Sequence, residues 1–186
     1  MSIDLIELTN QTISNLFAET ATPIAKDLKL NLKKLLTEGA LEPEEASLAL
    51  LAVATSVECP PLITLAHERL SALGTSDEAV TEAKEIAALM AMLNLYYRFR
   101  HMIKEGQGDE AEQRYKRTGL RMNSMARPVL GKAKFEMLSL AVSVINGCAM
   151  CINAHEQTLR NENVSDDKIH DLVRLAAVVK AVGCIL

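Results

Sequence analysis

A chain of 186 residues is long enough for one domain with a substantial core, and its formal net charge is −4. Because the Lys and Arg residues are scattered, nucleic acid is not expected as a partner. The sequence has no apolar run of membrane-spanning length and no charged-then-apolar leader, so neither a membrane helix nor export is expected. Such a chain with four cysteines is expected in the reducing cytoplasm, where paired cysteines are usually catalytic or metal-binding.

Apolar residues recur with helical spacing along the chain, and no segment alternates as a strand does. The sequence therefore predicts an all-α fold. Helices are predicted over 4–19, 23–39, 43–57, 62–73, 77–103, 135–145 and 148–161, with a last helix capped by Ser165. The polar residues 110–127 are expected to form only short helical pieces. Thr75 and Glu78 have capping-box spacing before the long helix.

A faint internal repeat predicts a single domain, 1–186, built from two related halves. Residues 65–68 (LAHE) resemble residues 153–156 (NAHE), and each is followed by a polar cap and an Ala-rich helix. The halves are predicted to span about 41–105 and about 132–186. An alignment with a gap of about three residues puts Pro60 and Ile63 opposite Cys148 and Cys151, so only the second half keeps paired thiols.

Paired thiols and a histidine fall together in the second half. Cys148, Cys151 and His155 have i, i+3 and i+7 spacing, so on a helix they share one face. Asn146 is predicted to cap this helix after a tight Asn-Gly turn. Free N–H groups at a helix N-terminus favour a thiolate, most strongly at Cys148, whereas an imidazole four residues on favours Cys151. We favour Cys151 as the attacking thiol, because a positioned base contributes more.

An acidic residue completes the constellation. Glu136 precedes the turn by about as many residues as His155 follows it, so an antiparallel hairpin brings the two level. The arrangement predicts a relay in which Glu136 holds His155 and His155 deprotonates Cys151, with Cys148 available for a disulfide. Zinc is the sharpest alternative, since Cys148, Cys151 and His155 could be ligands with Glu136 or Cys184 as the fourth.

Two further cysteines stand alone in apolar sequence. Cys59 and Cys184 are interpreted as buried structural thiols. His67 occupies the place of a site histidine in the predicted first half, but no thiol accompanies it, so a packed or half-exposed side chain is expected. Met150, between the paired thiols, is a candidate for part of a docking surface.

A family resemblance is carried by residues 135–156, FEMLSLAVSVINGCAMCINAHE. This stretch resembles the signature of the alkyl hydroperoxide reductase D (AhpD) proteins of the carboxymuconolactone decarboxylase-like superfamily. The resemblance implies an all-α AhpD-like fold that assembles as a homotrimer. By position it implies Cys151 as the thiol that becomes a sulfenic acid, Cys148 as the resolving thiol, and Glu136 and His155 as the proton relay. Met150 departs from members that have a second histidine there, which predicts weaker direct peroxide turnover or a proton path through Glu136 alone.

The resemblance also implies a reaction and its partners. The implied activity is thiol-disulfide exchange that reduces the peroxiredoxin alkyl hydroperoxide reductase C, with weak hydroperoxide and hydrogen peroxide reduction by the chain itself. Electrons are expected through a lipoylated dihydrolipoamide acyltransferase, so dihydrolipoamide is the donor and no cofactor is bound tightly. A cofactor-free lactone decarboxylase of the same superfamily is the remaining alternative, although that proton chemistry needs no pair of thiols.

Overall fold

The computed structural model describes residues 4–186, which form nine α-helices and one 3₁₀ turn without a strand. The all-α prediction is confirmed. The helices are α1 (Leu5–Leu16), α2 (Pro23–Thr37), α3 (Pro43–Ser56), α4 (Pro60–Leu73), α5 (Asp77–Gln107), α6 (Asp109–Gln113), α7 (Lys132–Asn146), α8 (Ala149–Asn161) and α9 (Asp166–Val182). The 3₁₀ turn, Asn123–Ala126, lies in the polar segment between α6 and α7.

Two helices form the centre of the fold. Residues 46–54 of α3 are all buried, and so is nearly every residue of α7 from Phe135 to Ser143. Such continuous burial requires neighbours on every side of a helix. Accordingly α3 packs against α4, α5, α7 and α9, and α7 packs against α5, α8 and α9. The N-terminal helix α1 covers α4, and α2 packs on α9.

The α3–α4 and α7–α8 turns have the same backbone hydrogen bonds. The Cys59 N–H donates to Ala54 C=O at 3.0 Å, and the Cys148 N–H donates to Ser143 C=O at 3.2 Å. In both turns the residue before the cysteine has a positive φ, and the cysteine is the N-cap of the next helix. These bonds satisfy carbonyls at the end of the first helix. Cys59 is therefore the structural counterpart of Cys148.

The correspondence extends into the following turns without a gap. Gly74 after α4 and Asn163 after α8 both have left-handed φ, at 70° and 59°. Ser76 and Ser165 cap α5 and α9 through their hydroxyls. Gly74 and Asn163 are separated by the same number of residues as Cys59 and Cys148, and so are Ser76 and Ser165. The gapped alignment predicted from sequence is therefore wrong by one residue. It pairs His67 with His155 because both are histidines, whereas the matched turns pair Ala66 with His155.

Several local predictions need correction. The cap of α5 is Ser76, whose hydroxyl accepts the Ala79 N–H at 3.3 Å, while the Thr75 hydroxyl instead donates to Glu44 at 3.2 Å. Helix α4 begins at Pro60 and α5 continues to Gln107, because proline suits a first helical position and the long helix ends only at Gly108. Cys59 is buried as predicted, but Cys184 and His67 are exposed, since both lie on helix-end or outer faces that no element covers.

Within residues 4–186, none of the helices combines the length and apolar character that crossing a membrane would require. The prediction that the chain forms two related halves stays a prediction, although the matched turns give it a definite register.

Candidate redox site

The paired cysteines lie where α7 turns into α8. Gly147 adopts φ 63°, a left-handed conformation that is costly for residues with a Cβ atom. The predicted cap, Asn146, is instead the last residue of α7, and its amide donates to Asn94 Oδ1 at 2.9 Å. Cys148 takes the N-cap position, and its sulfur accepts the Cys151 N–H at 3.3 Å. The turn therefore presents Cys148 at the helix N-terminus and Cys151 one turn inside.

The two cysteines form a disulfide, with their Cα atoms 5.3 Å apart. This distance is normal for a disulfide, so the backbone accommodates the bond. The two sulfurs differ in their surroundings. Cys148 is fully buried, whereas Cys151 is 7% exposed and lines a cavity. A molecule entering from solvent therefore reaches Cys151 first.

Glu136 and His155 meet across the hairpin, as the sequence predicts. Glu136 Oε2 lies 2.6 Å from His155 Nδ1, and their side chains are only 15% and 10% exposed. Helix α7 starts at Lys132, so Glu136 lies in its second turn rather than at its beginning. Because Nδ1 is engaged by the carboxylate, Nε2 is the ring nitrogen left to exchange a proton with another group. His155 and Cys151 lie one helical turn apart and line the same cavity.

A polar cluster holds the end of α7 against α5. The buried Asn94 donates to the Ser143 hydroxyl at 2.9 Å and accepts from the Asn146 amide at the same distance. Arg98 donates to the Asn146 carbonyl, also at 2.9 Å. Buried amide groups have few alternative partners, so these bonds fix the register of α5 against the hairpin. The cluster thereby places the cysteine turn relative to the cavity wall that α5 provides.

The cavity beside Cys151 and His155 has a volume of about 310 Å³. Its lining is predominantly apolar and comes from α5, α8 and the 3₁₀ segment: Met90, Leu93, Asn94, Tyr97, Met122, Met125, Met150, Cys151, Ala154 and His155. A volume of this size accommodates a small organic molecule. The disulfide and the Glu136–His155 pair thus border an apolar site open to a small substrate.

The zinc alternative finds no support in this geometry. Within the described part of the chain, no group of three or more His, Cys, Asp or Glu side chains is arranged to hold a metal ion. In this disulfide form Cys148 and Cys151 are bonded to each other, and a disulfide sulfur is not the thiolate that zinc needs. The exposed Cys184, on the last turn of the chain, was a suggested fourth ligand, and its sulfur instead donates to Lys180 C=O at 3.4 Å.

Sequence reasoning missed the cavity wall that α5 and the 3₁₀ segment provide. Asn94, Met122 and Met125 come from segments with no motif of their own. The signal available for Asn94 was an amide among the apolar positions of α5, next to Leu93 and four residues after Met90. A buried amide on an apolar helix face indicates a specific polar partner but does not say where the partner lies.

Comparison with known proteins gives a consistent result. Residues 114–183 match the model of the carboxymuconolactone decarboxylase family. Over 89% of its length, the chain is 41% identical to the alkyl hydroperoxide reductase AhpD of Bradyrhizobium sp. (strain BTAi1), covering 88% of that protein. It is 42% identical to the AhpD of Anaeromyxobacter dehalogenans (strain 2CP-C), over 87% and 84% of the two chains. It is 43% identical to the AhpD of Maricaulis maris, over 87% and 90%. With the all-α fold and the Cys148–Cys151 disulfide, this similarity shows that the chain belongs to the alkyl hydroperoxide reductase AhpD family of oxidoreductases.

Proposed function

We propose that the chain is a thiol-disulfide oxidoreductase in which Cys148 and Cys151 alternate between a dithiol and a disulfide. The observation that carries the proposal is the meeting of three features: the disulfide, the Glu136–His155 pair at 2.6 Å and one apolar cavity. A redox pair with a base and an access route is what thiol-dependent peroxide reduction requires. The decarboxylase alternative leaves the two cysteines without a role.

In the proposed peroxide step, the Cys151 thiolate attacks the terminal oxygen of a hydroperoxide. The O–O bond breaks, the alcohol leaves with a proton, and Cys151 becomes a sulfenic acid. The Cys148 thiol then attacks the Cys151 sulfur, forming the disulfide and releasing water. Accessibility supports this order, because Cys151 lines the cavity and Cys148 is fully buried.

His155 and Glu136 are proposed to move the protons in this cycle. Glu136 holds Nδ1, which orients the ring and leaves Nε2 for the Cys151 thiol. The imidazolium formed is stabilised by the nearby carboxylate and can return the proton to the leaving alcohol. With Met150 in place of a second histidine, the route runs through His155 and Glu136 alone.

We also propose the electron donor and the partner that the family resemblance implies. Dihydrolipoamide, presented by a lipoylated dihydrolipoamide acyltransferase, is proposed to attack the accessible Cys151 sulfur and return both cysteines to thiols. The dithiol then reduces the disulfide of an alkyl hydroperoxide reductase C-type peroxiredoxin by exchange, so that two electrons pass between the proteins. We propose that this reaction, with weak direct hydroperoxide reduction, serves antioxidant defence in the cytoplasm.

The proposed assembly is a homotrimer. Helix α5 supports it with a stripe of exposed apolar side chains at i, i+4 and i+7: Leu95, Phe99 and Met102 are 67%, 41% and 60% exposed. An exposed apolar stripe of this spacing is typical of helix–helix contact between subunits. Light scattering of the purified protein measures the mass directly, and a monomer would contradict this part of the proposal.

The test is a peroxidase assay with dihydrolipoamide as donor and cumene hydroperoxide as substrate. We expect Cys151→Ser and Cys148→Ser each to abolish turnover. Cys59→Ser is the matched control, because Cys59 is also buried and occupies the same position in the α3–α4 turn. It should retain activity. Full activity in Cys151→Ser would refute the proposal.

A trapping experiment assigns the attacking thiol. In Cys148→Ser, one equivalent of hydroperoxide should leave a sulfenic acid on Cys151, detected by mass spectrometry after reaction with dimedone. The reciprocal variant, Cys151→Ser, should give no such adduct at Cys148. An adduct at Cys148 alone would exchange the two roles.

A further inference from the structure

The cavity beside Cys151 is unusually rich in methionine. Four of its lining side chains are Met90, Met122, Met125 and Met150, half of the eight methionines in the chain. They come from three separate segments, α5, the 3₁₀ region and α8, so their convergence is a property of the tertiary structure. Thioethers are soft, adaptable side chains that hydroperoxides oxidise to sulfoxides.

The four thioethers differ in accessibility. Met90 is fully buried, and Met122 and Met125 are partly buried. Met150 is 37% exposed and directly precedes Cys151 in the first turn of α8. Met150 is therefore the thioether of the cavity that is most accessible to a hydroperoxide from solvent.

We propose that Met150 is a second oxidisable sulfur of this site, converted to methionine sulfoxide by an organic hydroperoxide held in the cavity. The proposal rests on the proposed function in one respect, that the cavity binds hydroperoxides. It concerns a different sulfur and needs no thiolate. Oxidation of Met150 would make one part of the cavity lining polar when hydroperoxide accumulates.

The step is a two-electron oxygen transfer. The thioether sulfur attacks the terminal oxygen of the hydroperoxide, the O–O bond breaks and the S–O bond forms. The proton of the terminal oxygen moves to the departing oxygen, which leaves as the alcohol. The sulfur is oxidised by two electrons and the hydroperoxide is reduced by two, so the step needs no other reactant.

Oxidation changes what the cavity selects. A sulfoxide is polar, so an apolar hydroperoxide loses a contact with the cavity lining while hydrogen peroxide, which needs no apolar surface, is little affected. A lost methylene-sized apolar contact changes discrimination by roughly tenfold. The oxidised protein should therefore shift its preference from bulky hydroperoxides toward hydrogen peroxide.

The first experiment uses the disulfide form, in which Cys148 and Cys151 cannot be overoxidised. The protein is exposed to cumene hydroperoxide or to hydrogen peroxide, and sulfoxide is measured at each methionine by peptide mass spectrometry. Met92 is the internal control: it is also 37% exposed, but it lies on α5 away from the cavity lining. Because Met92 shares the α5 face of Leu95 and Phe99 and would be covered in the proposed trimer, N-acetylmethionine added to the same solution is the second reference, and the Met150 ratio must rise against both. The ratio of Met150 to Met92 oxidation should be roughly tenfold higher with cumene hydroperoxide, reflecting its capture by an apolar pocket. Equal ratios for the two oxidants would overturn the proposal.

The second experiment measures the consequence. After oxidation, the disulfide is reduced with dithiothreitol, which leaves sulfoxides intact, and kcat/KM is measured for both peroxides. The ratio for cumene hydroperoxide over hydrogen peroxide should fall by roughly tenfold in the wild type. In Met150→Leu the same pretreatment should leave that variant's own ratio unchanged, and an equal fall there would overturn the assignment to Met150. In Met150→Gln, the ratio should already be low without pretreatment.

The two proposals fail in different measurements. If the untreated, reduced wild type does not turn over either peroxide, the direct peroxide reduction of the proposed function is refuted whatever happens at Met150. If turnover is normal and the Met150 to Met92 ratio is the same for both oxidants, only the present inference is refuted.

Discussion

The α3–α4 and α7–α8 hairpins have the same turn but carry different side chains. Each turn has a left-handed residue followed by a buried cysteine that caps the next helix. At the four positions that matter for redox chemistry, the second hairpin has Glu136, Cys148, Cys151 and His155, whereas the first has Ser47, Cys59, Leu62 and Ala66. The turn is shared, so the proposed reactivity lies in the side chains. Three of the four side chains differ between the proposed redox centre and the first hairpin.

The hairpins also differ in what covers them. In the first, Arg69 is fully buried and its guanidinium donates to the Ser47 hydroxyl at 3.0 Å, to the Leu36 carbonyl at 3.0 Å and to the Thr9 hydroxyl. Burial lowers the pKa of this guanidinium to about 10. It links α3 and α4 to the N-terminal helices, which close this side. The second hairpin instead borders the cavity, so a small molecule there can contact His155 of its polar pair.

The largest expected effect tests the side-chain difference. His155→Phe should lower kcat/KM for cumene hydroperoxide by about 10²–10⁴-fold, the usual contribution of a general base. His67→Phe is the matched control, since His67 lies on α4 beside the counterpart of His155 and is exposed. It should leave turnover unchanged. Equal losses in the two variants would mean that neither hairpin is distinguished by its histidine.

The next effect tests the closure of the first hairpin. Arg69→Ala should lower the free energy of unfolding by about 2–5 kcal/mol, because it creates a void and takes a donor from two buried hydroxyls and a carbonyl. Arg69→Lys should lower the free energy of unfolding by less, since lysine keeps the aliphatic chain but lacks the several N–H donors of the guanidinium. Urea unfolding measures both. Thr158→Ala, at the corresponding position of α8, should change stability by less than about 0.5 kcal/mol. If Thr158→Ala lowered the free energy of unfolding as much as Arg69→Ala does, the two hairpins would not differ in how they are closed.

A third variant asks whether the first hairpin can accept the thiol pair. Leu62→Cys places a second thiol three residues after Cys59, as Cys151 follows Cys148. Because the two turns share their hydrogen bonds, we expect a disulfide between Cys59 and the introduced thiol under oxidising conditions, detected as a loss of two hydrogens in the intact mass. Under reducing conditions the variant should lose about 2 kcal/mol of stability from the shortened Leu62 side chain.

The same variant separates geometry from catalysis. In a Cys151→Ser background, the new pair should not restore peroxidase activity, because Ala66 and Ser47 replace the base and its carboxylate. Failure of the disulfide to form would show that the two turns are less alike than their backbone bonds indicate.

The smallest effects test the turns themselves. Gly147→Ala should cost about 1 kcal/mol, from the left-handed backbone alone, because an added Cβ meets nothing within 4 Å. At the matching position Glu58 adopts φ 53°, so Glu58→Gly should relieve strain and stabilise the protein by up to about 1 kcal/mol. Opposite signs in thermal or urea unfolding are expected. Two changes of the same sign would contradict the equivalence of the turns.

Much of the site could be predicted from the sequence because its geometry is local. Cys151 and His155 are one helical turn apart, Gly147 marks the bend, and equal distances from that bend bring Glu136 to His155. Helical rise and side-chain direction are the same in most proteins, so these relations need no knowledge of the rest of the fold. The sequence also predicts a repeat, but the shared histidine aligns the two segments one residue out of register with the matched turns, and only the backbone hydrogen bonds show this.

Other features depend on segments that are distant along the chain. The cavity needs α5 and the 3₁₀ segment against α8, the closure of the first hairpin needs Arg69 to reach Thr9 and Leu36, and Cys184 is exposed because no element covers it. Periodicity says which face of a helix is buried but not which partner buries it. The sequence thus determined the side chains of the candidate site and their order along the chain, while tertiary packing decided which hairpin borders the cavity.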